Sequence, residues 1–274
     1  MHVVKFLVVF AALMAFSTRA EEASLFPDKN LERAVRKSVF EKRDNDKPLV
    51  EADVANLSTI EARGAGITNL AGLEKCISLA SLDLATNKIS DLSALRTLKL
   101  VQYLVLKNNQ INDIAPLGDM KSLQYVELSN NKVKNIEALA NCTNMHSIYV
   151  SQNEIADLSP AFKLSRLATL YADNNKIKSV AGINQVKFLT SLSLNDNELT
   201  DLQPLVGLTH LSSFLFLERN KIRELMPLVE MARADTNQNF APFLKVYIKG
   251  NPLSGASKSG NIKELERIGM RINR

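Results

Sequence analysis

The 274-residue chain has no tryptophan, two cysteines and three histidines, and aromatic residues make up only 6% of it. These shortages exclude a good deal. Two cysteines cannot build the disulfide framework that holds many small secreted domains together. His2 lies in the first twenty residues, and His146 and His210 fall in different positions of the pattern described below, so they cannot share a metal ion. A Gly-rich phosphate loop, His-Glu-x-x-His and Gly-x-Ser-x-Gly are all missing. The expectation is a chain that is not an enzyme and needs no metal or cofactor.

Long apolar runs are missing after residue 20. Before it, MHVVKFLVVFAALMAFSTRA places Lys5 ahead of eleven apolar residues, Phe6 to Phe16, and ends on small residues at Thr18 and Ala20. Eleven is too few to cross a bilayer, which takes about 20, and the layout is that of a secretory signal. Residues 1–20 therefore read as a signal peptide cleaved near Ala20, leaving a secreted or periplasmic chain without a stable membrane anchor. Without Lys5 and Arg19 the net charge is +3, too slight to predict nucleic-acid binding.

What the sequence does have is a repeat. LQYVELSNNKVKNIEAL (residues 123–139) shares its layout with residues 81–95 and 103–117. Asn87, Asn109, Asn131, Asn153, Asn175 and Asn197 stand 22 residues apart, Asn220 follows after 23 and Asn251 after 31. One step earlier the register falls on Ala65, making about nine turns. Around Asn131 the apolar positions are Val126, Leu128, Val133, Ile136, Leu139, Cys142 and Met145. Seven inward residues in 22 cannot share one face of a helix or strand, so the chain must coil around them. Cys76 and Cys142 occupy the same inward column three turns apart, about 14 Å at strand spacing. That is beyond disulfide reach, and both should be free, buried thiols.

LTSLSLNDNELTDLQPL (residues 189–205) resembles the short leucine-rich repeat of bacterial internalins. The resemblance implies an α/β solenoid, a right-handed leucine-rich-repeat superhelix with a parallel concave β-sheet, in which each marker Asn turns inward onto backbone groups of the bend and Asn130 faces out. It also implies a helical N-terminal cap at 21–58, with Asp28 capping a helix, repeats over 59–253 and a C-terminal helical cap at 254–274, where Asn261 and Glu264 offer a capping box. The insertion before Asn251 carries Leu228, Met231 and Ala232 at helical spacing, pointing to a longer helix on the convex side.

With inward positions committed to packing, recognition falls to the outward strand positions six, four and two before each marker. All five tyrosines fall in the first two of these columns. A tyrosine stripe offers rigid contact area for another protein. The candidate partner-binding residues are Tyr103, Val105, Tyr125, Glu127, Tyr149 and Tyr171, together with Asp173, Phe214, Phe216 and Tyr247. The expected protein is a monomer that binds a protein partner. The alternatives are a regulatory or scaffolding subunit, resembling the leucine-rich regulatory subunit of type 1 protein phosphatase, and a carbohydrate-binding module using the tyrosine rings as platforms.

Overall fold

A computed structural model describes residues 24–235 and 243–274; the expected signal peptide lies outside them. Ten short strands form one parallel sheet in strict chain order. They are β1 (Thr59–Glu61), β2 (Ser81–Asp83), β3 (Tyr103–Val105), β4 (Tyr125–Glu127), β5 (Ser147–Tyr149), β6 (Thr169–Tyr171), β7 (Ser191–Ser193), β8 (Phe214–Phe216), β9 (Lys245–Tyr247) and β10 (Arg271–Asn273). Parallel neighbours need a crossover. Here it is a short turn, containing a 3-10 helix such as Ala115–Asp119 or Glu137–Asn141, on the side opposite the sheet. The pairing sets Tyr103 beside Tyr125 and Val105 beside Glu127, the register that the 22-residue period requires.

The middle residue of each strand from β1 to β9 points inward and is buried, and so are all seven apolar positions of the Asn131 turn. Each turn packs on the two beside it, so the core is a continuous stack of leucine-type side chains whose stability is built from neighbouring contacts. The insertion forms the helix α3 (Met226–Ala234), with Leu228, Val229, Met231 and Ala232 buried. Cys76 and Cys142 are buried free thiols. Burial pushes them up to about 12 and about 11, away from the reactive thiolate form. Native protein should therefore give almost no reaction with a thiol reagent, and unfolded protein two thiols per chain; no reactive thiol after unfolding would contradict the stacking.

The marker asparagines close each bend. The Asn131 amide donates to the carbonyls of Leu106, 3.0 Å, and Leu128, 2.9 Å, while its oxygen accepts the Ile111 N–H at 3.0 Å. Asn87, Asn109, Asn153, Asn175, Asn197, Asn220 and Asn251 repeat the pattern. No buried side-chain nitrogen or oxygen among the described residues lacks a partner. The residue before each marker takes left-handed backbone: Thr86, Asn108, Asn130, Gln152, Asn174, Asp196 and Arg219, with Gly64 and Gly250 at the two ends. Asn130 faces out as expected, yet it is not a neutral surface site. Its φ is +57° and its amide donates to the Asn108 oxygen at 2.9 Å, so alanine there forfeits a residue type suited to this conformation.

At the N-terminal end, α1 (Lys29–Arg36) and the short α2 (Glu51–Val54) cover the first turn, burying Phe26, Leu31, Val35, Leu49 and Val54. Asp28 caps α1 as expected: one oxygen accepts from the N–H groups of Asn30 and Leu31. The other accepts from the N–H groups of Thr68 and Asn69, so one carboxylate ties helix to repeat. Phe26 and the Leu25 carbonyl close over Gly72, whose φ is +100° and where a Cβ would stand 2.7 Å from each. Gly72→Ala combines left-handed strain with a backbone clash and should cost about 3 kcal/mol in urea melts; an unchanged midpoint would mean that the N-terminal segment does not pack there.

The other end departs from expectation. α4 (Ile262–Ile268) is continuous with helical backbone that already begins near Gly255. Asn261 is therefore inside the helix with no capping bond, and seven residues earlier the Ser254 hydroxyl accepts the Ser257 N–H at 3.1 Å. Glu264 instead pairs with Arg233 of α3 and with Arg267, hydrogen bonds that bring it down to about 2. After Gly269 the chain returns to the sheet, and β10 pairs with β9, a tenth strand where the sequence pointed only to a helix.

Candidate functional site: an aromatic ridge on the concave sheet

The outward residues of ten strands form one face, and on it the rings meet in sequence. Tyr103 and Tyr125 lie 6.3 Å apart between ring centres, Tyr125 and Tyr149 5.3 Å, and Tyr149 and Tyr171 5.2 Å. The line continues from Tyr171 to Phe216 at 6.2 Å and from Phe216 to Tyr247 at 4.6 Å, with Phe214 stacked 5.4 Å from Phe216. These separations suit edge-to-face and offset contact. The sequence places two tyrosine pairs, each within a column. The structure joins the pairs diagonally through Tyr125 and Tyr149 and extends the ridge across β8 and β9. Val105 and Glu127 flank it in the same column as Tyr149. The Lys245 ammonium stands 5.4 Å over the Phe214 ring, a cation–π contact that sequence spacing alone does not show.

Packing among themselves shields the rings. Tyr103, at the end of the line, is 50% exposed, while Tyr125, Tyr149 and Tyr171 are half-buried. Burial, reinforced by Glu127, Tyr149 and Asp83, pushes the Tyr125 hydroxyl up to about 12, and burial also raises Tyr149 and Tyr171. Tyr125, Tyr149 and Tyr171 are therefore neutral hydrogen-bond donors at physiological pH.

Between β6 and β8 the ridge crosses a strand with no ring. Ser191 and Ser193 are outward by register, yet Ser193 is only 2% exposed, roofed by Tyr171 and Phe216 on either side. Beneath this span Asp173 accepts from the Ser193 hydroxyl and from the Asn195 N–H, the latter at 2.7 Å, and its own N–H donates to Ser151 at 3.1 Å. Burial, partly offset by these hydrogen bonds, leaves its carboxyl raised. Asp173, itself half-buried, thus supports this span through Ser193 and Asn195. The signal for this in the sequence is two small residues at both outward positions of one strand between aromatic strands.

A family model described as Leucine Rich repeats (2 copies) matches residues 99–141. Internalin C2 from Listeria monocytogenes superposes with a TM-score of 0.71 at 25% identity, over 84% of this chain and 95% of that one. The chain folds as an internalin-like leucine-rich-repeat solenoid. Internalin F of the same organism matches over 94% of this chain and 95% of its own, at 20% identity and a TM-score of 0.58. The ectodomain of the Arabidopsis thaliana receptor kinase GASSHO1/SCHENGEN3, solved in complex with Casparian strip integrity factor 2, shares the fold at 17% identity and a TM-score of 0.57, over 66% of this chain and 25% of that one. No curated protein sequence matches significantly. Repeats of this kind form extended concave binding surfaces, and the internalin-like chain presents its rings on that surface. Among the described residues no helix is long and apolar enough to cross a membrane.

Proposed function

We propose that this chain is exported by its N-terminal signal and binds a protein partner along the concave sheet, without catalysis of its own. The observation that carries this reading is the unbroken line of rings from Tyr103 to Tyr247, with centre separations of 4.6 to 6.3 Å. Aromatic side chains supply large contact area with few rotors to freeze, which is why they dominate interface energetics. Glu127 and Val105 border the ridge, Phe214 widens it, and Asp173 holds the floor where no ring is present. Lys245 and Lys249 at one end and Glu61 and Asp83 at the other give the ridge a polar rim. A regulatory or scaffolding role would use the same surface.

The test is affinity capture with the chain from Glu21 against secreted and cell-surface protein fractions, run beside a glycan array. The expected result is a protein captured by the wild type and released by excess free chain, with no glycan bound. Binding to glycans with no protein captured would replace this reading with the carbohydrate one.

A further inference from the structure

One lateral edge of the solenoid is formed by the two residues that follow each buried member of the Cys76, Leu98, Met120 column, just before the chain enters the next strand. Through Leu208 this gives fourteen positions over seven turns, and none is acidic, although the chain has 29 Asp and Glu. Lys99, Lys121, Arg166 and Lys187 are exposed there. None of them forms an ion pair among the described residues. Lys121 reaches only the carbonyls of Gly118 and Asn141, and Arg166 only the Asn144 side chain.

The same row holds large apolar side chains in water. Ile77, Leu100 and Phe188 stand in it, and Phe243 has the equivalent place before the inward Leu244. All four are between 54% and 63% exposed, and they make up four of the seven large hydrophobic residues exposed in the described chain. Phe188 also contacts His210 of the next turn, with ring centres 5.4 Å apart. The five turns from Ile77 to Phe188 span about 24 Å at strand spacing.

We infer that this edge lies on an anionic lipid surface. The apolar side chains stand singly, separated by cations, in a row two residues wide. Such a row has no contiguous patch to bury against a protein, where a stable interface takes about 800 Å² per partner. A bilayer surface accepts this pattern: isolated apolar side chains enter the headgroup and acyl boundary while lysine and arginine meet the lipid phosphates. Each cation near such a surface strengthens binding several-fold. The contact would be reversible attachment, and it leaves the aromatic ridge, which lies on a different face, uncovered.

The experiment is sedimentation with vesicles, using the chain from Glu21, because all described packing lies in residues 24–274. Vesicles of about one-third phosphatidylglycerol in phosphatidylcholine should bind it at least tenfold more strongly than phosphatidylcholine alone, and added salt should weaken this. The variant with Lys99→Glu, Lys121→Glu, Arg166→Glu and Lys187→Glu should lose at least tenfold in partitioning while melting as a folded protein. Leu100→Ser with Phe188→Ser should lose several-fold with its charge unchanged. A chain that ignores the anionic vesicles, or a quadruple-Glu variant that binds them as well as the wild type, overturns the inference. Retention of vesicle binding by a variant lacking the ridge tyrosines supports it, since the two surfaces are then separate.

Discussion

Asn131→Ala is expected to lower unfolding stability by about 3 kcal/mol, as large an effect as any single change away from the hydrophobic stack. The hydrogen bonds are not equivalent. The Leu106 carbonyl is also bonded by Asn109, and the Leu128 carbonyl by Asn153, so each keeps one donor when Asn131 is removed. The Ile111 N–H takes Asn131 as its acceptor, and it sits in a buried residue. An unpaired buried N–H costs roughly 1 to 3 kcal/mol, and the two weakened carbonyls add to it. The control is the adjacent residue. Asn130→Gly keeps the left-handed backbone at no steric cost and should stay within about 0.5 kcal/mol, whereas Asn130→Ala should cost about 1 kcal/mol. Urea melts of the three variants test this. Asn131→Ala as mild as Asn130→Gly would show that the inward Asn column does not hold the bends together.

The difference between these two asparagines also shows what was legible in the sequence. Inward columns are readable because every turn imposes the same demand at the same spacing, so Leu104, Val126 and Ile148 report one environment three times. The outward register of Tyr103, Tyr125, Tyr149 and Tyr171 follows from it by strand alternation. The left-handed column was harder, because Thr86, Gln152 and Arg219 occupy it beside the more telling Asn108, Gly64 and Gly250. Features made by contact across turns were not legible at all. Ser193 is buried only because rings from the neighbouring strands lean over it, and Asp28 reaches Thr68 and Asn69 across 40 residues of chain. At the C-terminal end, Asn261 and Glu264 have the right spacing for a capping box. The local signal lost to the Ser254 hydroxyl, which starts the helix earlier, and to the arginines that hold Glu264.

The ridge itself is the part of the site whose chemistry the sequence conveyed and whose continuity it did not. Alternation places rings outward but does not say whether diagonal neighbours touch. Tyr125 and Tyr149 belong to different columns, and their 5.3 Å separation turns two pairs into one surface. A partner lying along it would meet Tyr103, Tyr125, Tyr149 and Tyr171 in succession over four adjacent strands.

Affinity of the captured partner for the variant carrying Tyr103→Ser, Tyr125→Ser, Tyr149→Ser and Tyr171→Ser, measured by calorimetry beside the wild type, addresses the concave-face reading most directly. The rings rest on one another rather than in the hydrophobic stack, so the variant should remain folded, with a modestly lower urea midpoint. Anchor side chains are worth about 2 kcal/mol each in an interface, with incomplete additivity, and every 1.4 kcal/mol is a factor of ten. Kd is therefore expected to rise by about a thousandfold or more. A folded quadruple variant that binds the partner with wild-type affinity would contradict that reading and move recognition off the concave sheet.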